Sequence, residues 1–291
     1  MTQRRYLQLD VFADRPGAGN PLAVVLDTDG LDTSTMQAIA RWSNRPETTF
    51  VFAPATAGAD YRIRMFSPDR EVPFAGHPSI GTAYAVLQAG MAQTTDGRIV
   101  QEGMTGLLPL QVDDSDGQRS IAIRTPMARV AEVGRADDPR LTAALQGLTS
   151  GVLPPALMDG GRRWWVADVG DEAALRGATP DWPAIAQLAA ATESMGVLAF
   201  ARSDSGDHDL AVRAFVGAGS PFEDAASGAA NAVLAAWLRH NDALPGRDGR
   251  YLASQGREVG FDARLHLHVD ADGEVWSGGR VCPIVSGFID W

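Results

Sequence analysis

The 291-residue sequence predicts an α+β chain built as two similar lobes by internal duplication. Two observations carry this. Strand-like and helix-like segments run in the same order in both halves, and several blocks match between halves about half a chain length apart. DYRIRMF (Asp60 to Phe66) matches DLAVRAF (Asp209 to Phe215) at Asp, Arg and Phe. RRYLQLDV from Arg4 resembles RRWWVADV from Arg162. HPSIGTA aligns with DAASGAA, putting His77 on Asp224, Gly81 on Gly228 and Ala83 on Ala230.

Alternation of apolar residues predicts strands over 5–11, 22–26, 48–52 and 61–66. Helical spacing covers 33–42, with Asp32 or Thr33 as N-cap, and 79–88, with Gly90 as C-cap. The second half repeats the order: strand 162–169, helix 183–191, strands 197–201 and 209–215, helix 225–240. The boundary falls near Pro126. The lobes are therefore expected at 1–126, completed by 281–291 crossing back, and at 127–280.

Composition excludes several function classes. The formal charge of -11 disfavours nucleic acid and anionic membrane as partners. A single cysteine, Cys282, excludes an internal disulfide and multi-Cys metal sites. No lysine occurs, so a pyridoxal-phosphate Schiff base and a standard P-loop are excluded. The N-terminus lacks a signal core and no apolar run is long enough to span a bilayer, so a cytoplasmic enzyme is the expectation.

Both repeated helix starts are rich in small residues. Gly76, Ser79 and Gly81 open the first, and Ser227, Gly228 and Ala229 open the second. Free N–H groups at such ends can cradle a carboxylate; small residues also simply let buried helices pack. His77 lies between Gly76 and Pro78, and its repeat partner Asp224 follows a second acid, Glu223. An acid beside an imidazole suits proton transfer, although Glu223 and Asp224 equally suit N-capping. Glu47, in NRPETTFV, enters a β-branched strand from a loop, where partial burial makes a carboxylate a usable base. His266 and His268 share a strand face without a third ligand, GAGNP (Gly17 to Pro21) is an incomplete dinucleotide fingerprint, and Ser220, Ser227 and Ser254 lack a nucleophile elbow. Trp164 and Trp165 read as core or interface.

These motifs together resemble the PhzF-like isomerases of phenazine biosynthesis, within the diaminopimelate epimerase fold. DVFADRPGAGNPLAVV is similar to the family's opening, NRPETTFV to its catalytic-glutamate segment, and RMFSPDREVPFAGHPSIGTA and RAFVGAGSPFEDAASGAA to its two central signatures. The resemblance implies two lobes, each a curved, mostly antiparallel sheet or barrel around a central helix, with the active site between them. It implies Glu47 as proton carrier, with His77 and Asp224 supporting it. It implies substrate contacts at Asn20, Gly76, Ser79, Ser227, Gly228 and Ala229. It further implies a homodimer, a small carboxylate substrate, and neither cofactor nor metal. Where the family has DPATGSA this chain has DAASGAA, and Pro46 stands where a Ser commonly precedes the glutamate.

Three activities remain open at this level. One is a proton shift on an unsaturated cyclic amino or carboxylic acid, including trans-2,3-dihydro-3-hydroxyanthranilate itself, in natural-product synthesis. Another is isomerisation or epimerisation of a pyrroline-type acid. The third is a binding protein that has lost catalysis.

Overall fold

A computed structural model describes residues 2–115, 117–135 and 137–291. The chain divides into two compact units, Met1–Ile123 with Gly278–Trp291, and Arg124–Ser277. Both are mixed α and β, and each is a curved, mostly antiparallel sheet carrying a central helix.

Unit 1 begins with β1 (Gln3–Val11), β2 (Asn20–Val25), α1 (Thr33–Ser43) and β3 (Glu47–Phe52). It continues through β4 (Tyr61–Phe66), β5 (Glu71–Val72), α2 (Gly76–Gln88), β6 (Arg98–Gly103), β7 (Gly106–Asp113) and β8 (Ser120–Arg124). β1 pairs antiparallel with β2, and β2 pairs parallel with β3 across the α1 connection. β3 and β4 are antiparallel, while β4 and β6 are parallel across α2. β6, β7 and β8 form an antiparallel meander. Parallel neighbours need a crossover, and each of these two is a helix.

α1 starts where Asp32 accepts the Thr35 N–H at 2.7 Å, and ends at Asn44 in the left-handed region (φ 50°). It packs Met36, Ile39 and Ala40 on Tyr6, Ala23, Val25, Phe50 and Phe66. α2 is buried on most sides, as a central helix must be. Gly81 permits its close approach to the sheet: a Cβ there would lie 2.5 Å from Leu22 Cδ2 and 2.8 Å from Val11 Cγ2.

Unit 2 contains β9 (Arg129–Val133), α3 (Pro139–Ala144), β10 (Ala156–Asp159), β11 (Arg163–Asp168), α4 (Glu172–Gly177) and α5 (Trp182–Thr192). Then come β12 (Gly196–Arg202), β13 (Leu210–Val216), β14 (Phe222–Asp224), α6 (Gly228–His240), β15 (Arg250–Gln255) and β16 (Ala263–Val269). The last strand, β17 (Val275–Asp290), pairs with β1 and β8 and completes the ring of strands in unit 1. Trp164 and Trp165 are both buried, and Trp165 belongs to the unit 2 core with Leu157, Ile185 and Phe215.

The duplication extends to individual bonds. Asp60 accepts the Val100 N–H at 2.6 Å, and Asp209 accepts the Leu252 N–H at 2.8 Å. Arg64 lies over Phe66 and grips Glu71, as Arg213 lies over Phe215 and grips Glu223. α1 ends at left-handed Asn44 and α5 at left-handed Glu193.

The structure corrects the alignment of the repeats. α2 and α6 both have 13 residues, so Gly76 matches Gly228 and His77 matches Ala229, not Asp224. Ser79 donates to Ala75 O and its counterpart Asn231 donates to Ser227 O, which fixes that register. Opposite Phe66 stands Glu71, and opposite Phe215 stands Glu223, so the counterpart of Asp224 is Val72. The hairpin before α6 is longer than the hairpin before α2, and an ungapped comparison slides across the difference. β11 likewise takes the place of β2, being antiparallel to the strand before it and parallel to the next. The Arg162 block therefore does not correspond to β1.

Helix limits shift too. α2 begins at Gly76 rather than Ser79, since Pro78 falls in a first turn where no N–H is needed. α6 begins at Gly228 rather than Ala225, because Ser227 supplies the N-cap and accepts the Ala230 N–H at 3.3 Å. Glu223 and Asp224 lie in β14 and are not caps.

Candidate active site

Glu47 is the first residue of β3, aligned with Leu22 on β2. The left-handed turn at Asn44 ends α1, and a bend over Arg45 and Pro46 leads into the strand. The side chain of Glu47 is 19% exposed. His77, the second residue of α2, is buried, and its Nε2 lies 3.3 Å from Glu47 Oε2. The structure thus brings together two residues that are thirty positions apart in the sequence.

The start of α2 is distinctive. α1, α3, α4, α5 and α6 each have a side-chain N-cap, whereas Ala75 at the start of α2 offers none. Its first-turn amides and the positive end of the helix dipole favour negative charge beside Glu47. Gly76 opens that turn, and a Cβ on it would stand 3.2 Å from Ile123 Cδ1.

Asn20 begins β2, is buried, and pairs with Val11. It lies at the same end of the sheet as Glu47, two positions before Leu22. Ser79 is fully buried with its hydroxyl turned inward, donating to Ala75 O at 3.0 Å and accepting from Gln101 Nε2 at 3.1 Å. A ligand contact from Ser79 would have to come from its amide.

Asp224 ends β14, half-buried. Its Oδ1 accepts the Ala226 N–H at 3.3 Å, and its carbonyl accepts from Gln255 Nε2 at 2.7 Å. The Ser227 hydroxyl is committed to capping, and its N–H points to Gln255 Oε1 at 3.3 Å. Gly228 is buried, and Ala229, the counterpart of His77, is exposed. Among the described residues no cluster of three His, Cys, Asp or Glu is placed to hold a metal. Two surface clefts, one around Arg62 and Met104 and one around Arg239 and His240, include none of Glu47, His77 and Asp224.

Sequence reasoning missed Asp10. Burial pushes this carboxyl up, opposed by the Gly17 N–H, which donates to Oδ2 at 2.6 Å, and by Arg45. Asp10 thereby ties down the turn leading into Asn20. Phe12 beside it is buried at φ 65°, and a Cβ on Gly19 would stand 2.4 Å from Val11 O. The only sequence signal was an acid at the end of an apolar strand.

A profile of the family described as phenazine biosynthesis-like protein matches residues 9–280. The chain belongs to that family. It is 34% identical over 284 residues to the trans-2,3-dihydro-3-hydroxyanthranilate isomerase of Pseudomonas aeruginosa, covering 93% of this chain and 92% of the relative. It is 30% identical to antisense-enhancing sequence 1 of Schizosaccharomyces pombe over 99% of both chains. The crystal structure of the Bacillus anthracis PhzF-family phenazine biosynthesis protein superposes with a TM-score of 0.84 over 100% of both chains at 22% identity, which shows a common fold. The protein is accordingly an isomerase of the PhzF-like family, with the diaminopimelate epimerase-like fold. No helix is long and apolar enough to cross a membrane.

Proposed function

We propose that this PhzF-like isomerase relocates a proton within a small unsaturated carboxylic acid, using Glu47 as a single base and then acid. Glu47 takes a proton from a carbon next to the unsaturated system. The C–H electron pair delocalises, and the conjugate acid returns the proton to another carbon on the same face. His77 holds the carboxylate from 3.3 Å and steadies charge developing on a substrate heteroatom. Asp224 is the proposed second supporting group, through its place in the family-like DAASGAA motif. In unit 1 the α2 amides from Gly76 are proposed to bind the substrate carboxylate, with Asn20 as a further contact; in unit 2 the proposed contacts are Gly228 and Ala229. The chemistry asks for no metal or organic cofactor.

The observation that carries the reading is asymmetry between the repeats. α1 and α5 align, so the counterpart of Glu47 at the start of β12 is Gly196. A Cβ on Gly196 would stand 2.0 Å from Phe215 O, so no side chain fits there. The position related to Glu47 by the repeat therefore holds no second base. With His77 and Asp224 in supporting roles, Glu47 is the single proton carrier of this reading, and a proton shift on one face is the outcome it predicts.

The first probe is the substrate named for the Pseudomonas relative, trans-2,3-dihydro-3-hydroxyanthranilate. Product NMR in deuterated water should show a relocated double bond. A retained skeleton with an inverted centre would point to epimerisation instead. A cytoplasmic homodimer in a natural-product pathway is the proposed setting, to be checked by sedimentation.

A further inference from the structure

Asp224 ends a three-residue strand reached through an exposed loop, 218–221. The residue that ties this strand down is its neighbour. Alternation along a strand turns Glu223 to the face opposite Asp224. There the Glu223 carboxylate accepts from Arg213 Nε at 3.0 Å and Nη2 at 2.7 Å, with both side chains only 4% exposed. Arg213 is itself held on several sides. Its Nη1 donates to Leu175 O at 2.9 Å and Ala178 O at 2.6 Å, and its guanidinium lies 4.8 Å over the Phe215 ring. A planar fork with its donors committed is a rigid anchor.

Unit 1 has a looser form of this clasp. Arg64 grips Glu71 at 2.6 Å but is 29% exposed, and its further contact is Thr33 Oγ1 at 3.1 Å. The residue it would aim is Val72, which has no chemistry to direct. The tighter clasp occurs in the unit whose next residue is an acid.

We propose that Arg213 is a positioning residue that, through Glu223, fixes the direction of the Asp224 carboxylate. This rests on the reading of Asp224 as a supporting acid. The bonds from Ala226 and Gln255 hold Asp224 to its own loop and to β15. The clasp holds that strand to β13.

The test uses Glu223→Gln, which leaves both carbonyl bonds of Arg213 in place, and Arg213→Lys, which keeps the charge but loses the fork. The first readout needs no substrate: carboxyl carbon NMR of aspartate-labelled protein, with the Asp224 resonance assigned from Asp224→Asn. In folded Glu223→Gln the Asp224 resonance should move while that of Asp10 stays. An unmoved Asp224 resonance overturns the proposal, even if Arg213→Lys does not fold. The second readout is turnover of trans-2,3-dihydro-3-hydroxyanthranilate. Glu223→Gln should lower kcat about 10- to 100-fold with KM little changed, as expected for a misdirected group. In an Asp224→Asn background it should cost nothing further. Equal losses in both backgrounds would mean a purely structural role. Full activity of Asp224→Asn alone would instead reject the reading of Asp224, while the NMR result still decides the clasp.

Discussion

Glu47 Oε2 lies 3.3 Å from His77 Nε2, and both groups come from unit 1. β3 fixes one and the first turn of α2 the other. Each is set by main-chain geometry rather than by a flexible loop.

Glu47→Gln keeps the shape of the side chain and removes the base. Its kcat should fall by about 10²- to 10⁴-fold, the range of general acid–base catalysis, with Tm unchanged. Activity on the probe substrate and thermal melting are measured together. Near-full activity would remove Glu47 from the mechanism.

Gly81→Val should unfold the protein at a lower temperature. The new side chain must enter the space of Leu22 and Val11, 2.5 and 2.8 Å from the Cβ position. Overpacking of this kind costs about 1–3 kcal/mol. Gly76→Ala meets only Ile123 Cδ1 at 3.2 Å, so its melting temperature should drop less. Calorimetry of the two variants orders them.

The Cys282 thiol is pushed up by burial and by the charge of Asp10, which pairs with it across β1 and β17. The thiolate is the reactive form. Alkylation by iodoacetamide at pH 8 should be slower than for free cysteine, and Cys282→Ser should leave isomerase activity intact. Loss of activity in a folded Cys282→Ser protein would reopen cysteine chemistry.

Unit 2 should lose stability in acid through Glu172. Burial raises its carboxyl, but bonds from Ser203, Arg176 and His208 outweigh that and hold it down to about 2. A depressed carboxylate stabilises the folded state above its unfolded value and loses that contribution as pH falls through the folded value. The window therefore runs from about 4.5 down to about 2. Asp207, also lowered, bonds Ser205 and His208 and acts in the same direction. Melting temperature followed from pH 6 to pH 2 should fall in wild type, and more gently in Glu172→Gln. Parallel curves would show that Glu172 contributes nothing.

The sequence alone determined the kind of chain this is. Strand alternation, helix periodicity and the Asp32 cap are local properties, so β4 and α1 were legible almost to the residue. Motif blocks singled out Glu47, His77 and Asp224 as the candidate site residues because family signatures are contiguous. Tertiary structure decided which residues are equivalent and which touch. A longer hairpin before α6 shifts the repeat register, and only strand pairing shows that His77 matches Ala229 and Asp224 matches Val72. The buried role of the Ser79 hydroxyl, the tie from Asp10 to Gly17, and the absence of space for any side chain at Gly196 depend on neighbours distant in sequence. Periodicity reports which face of an element is buried. What a side chain meets there is set by the elements packed against it.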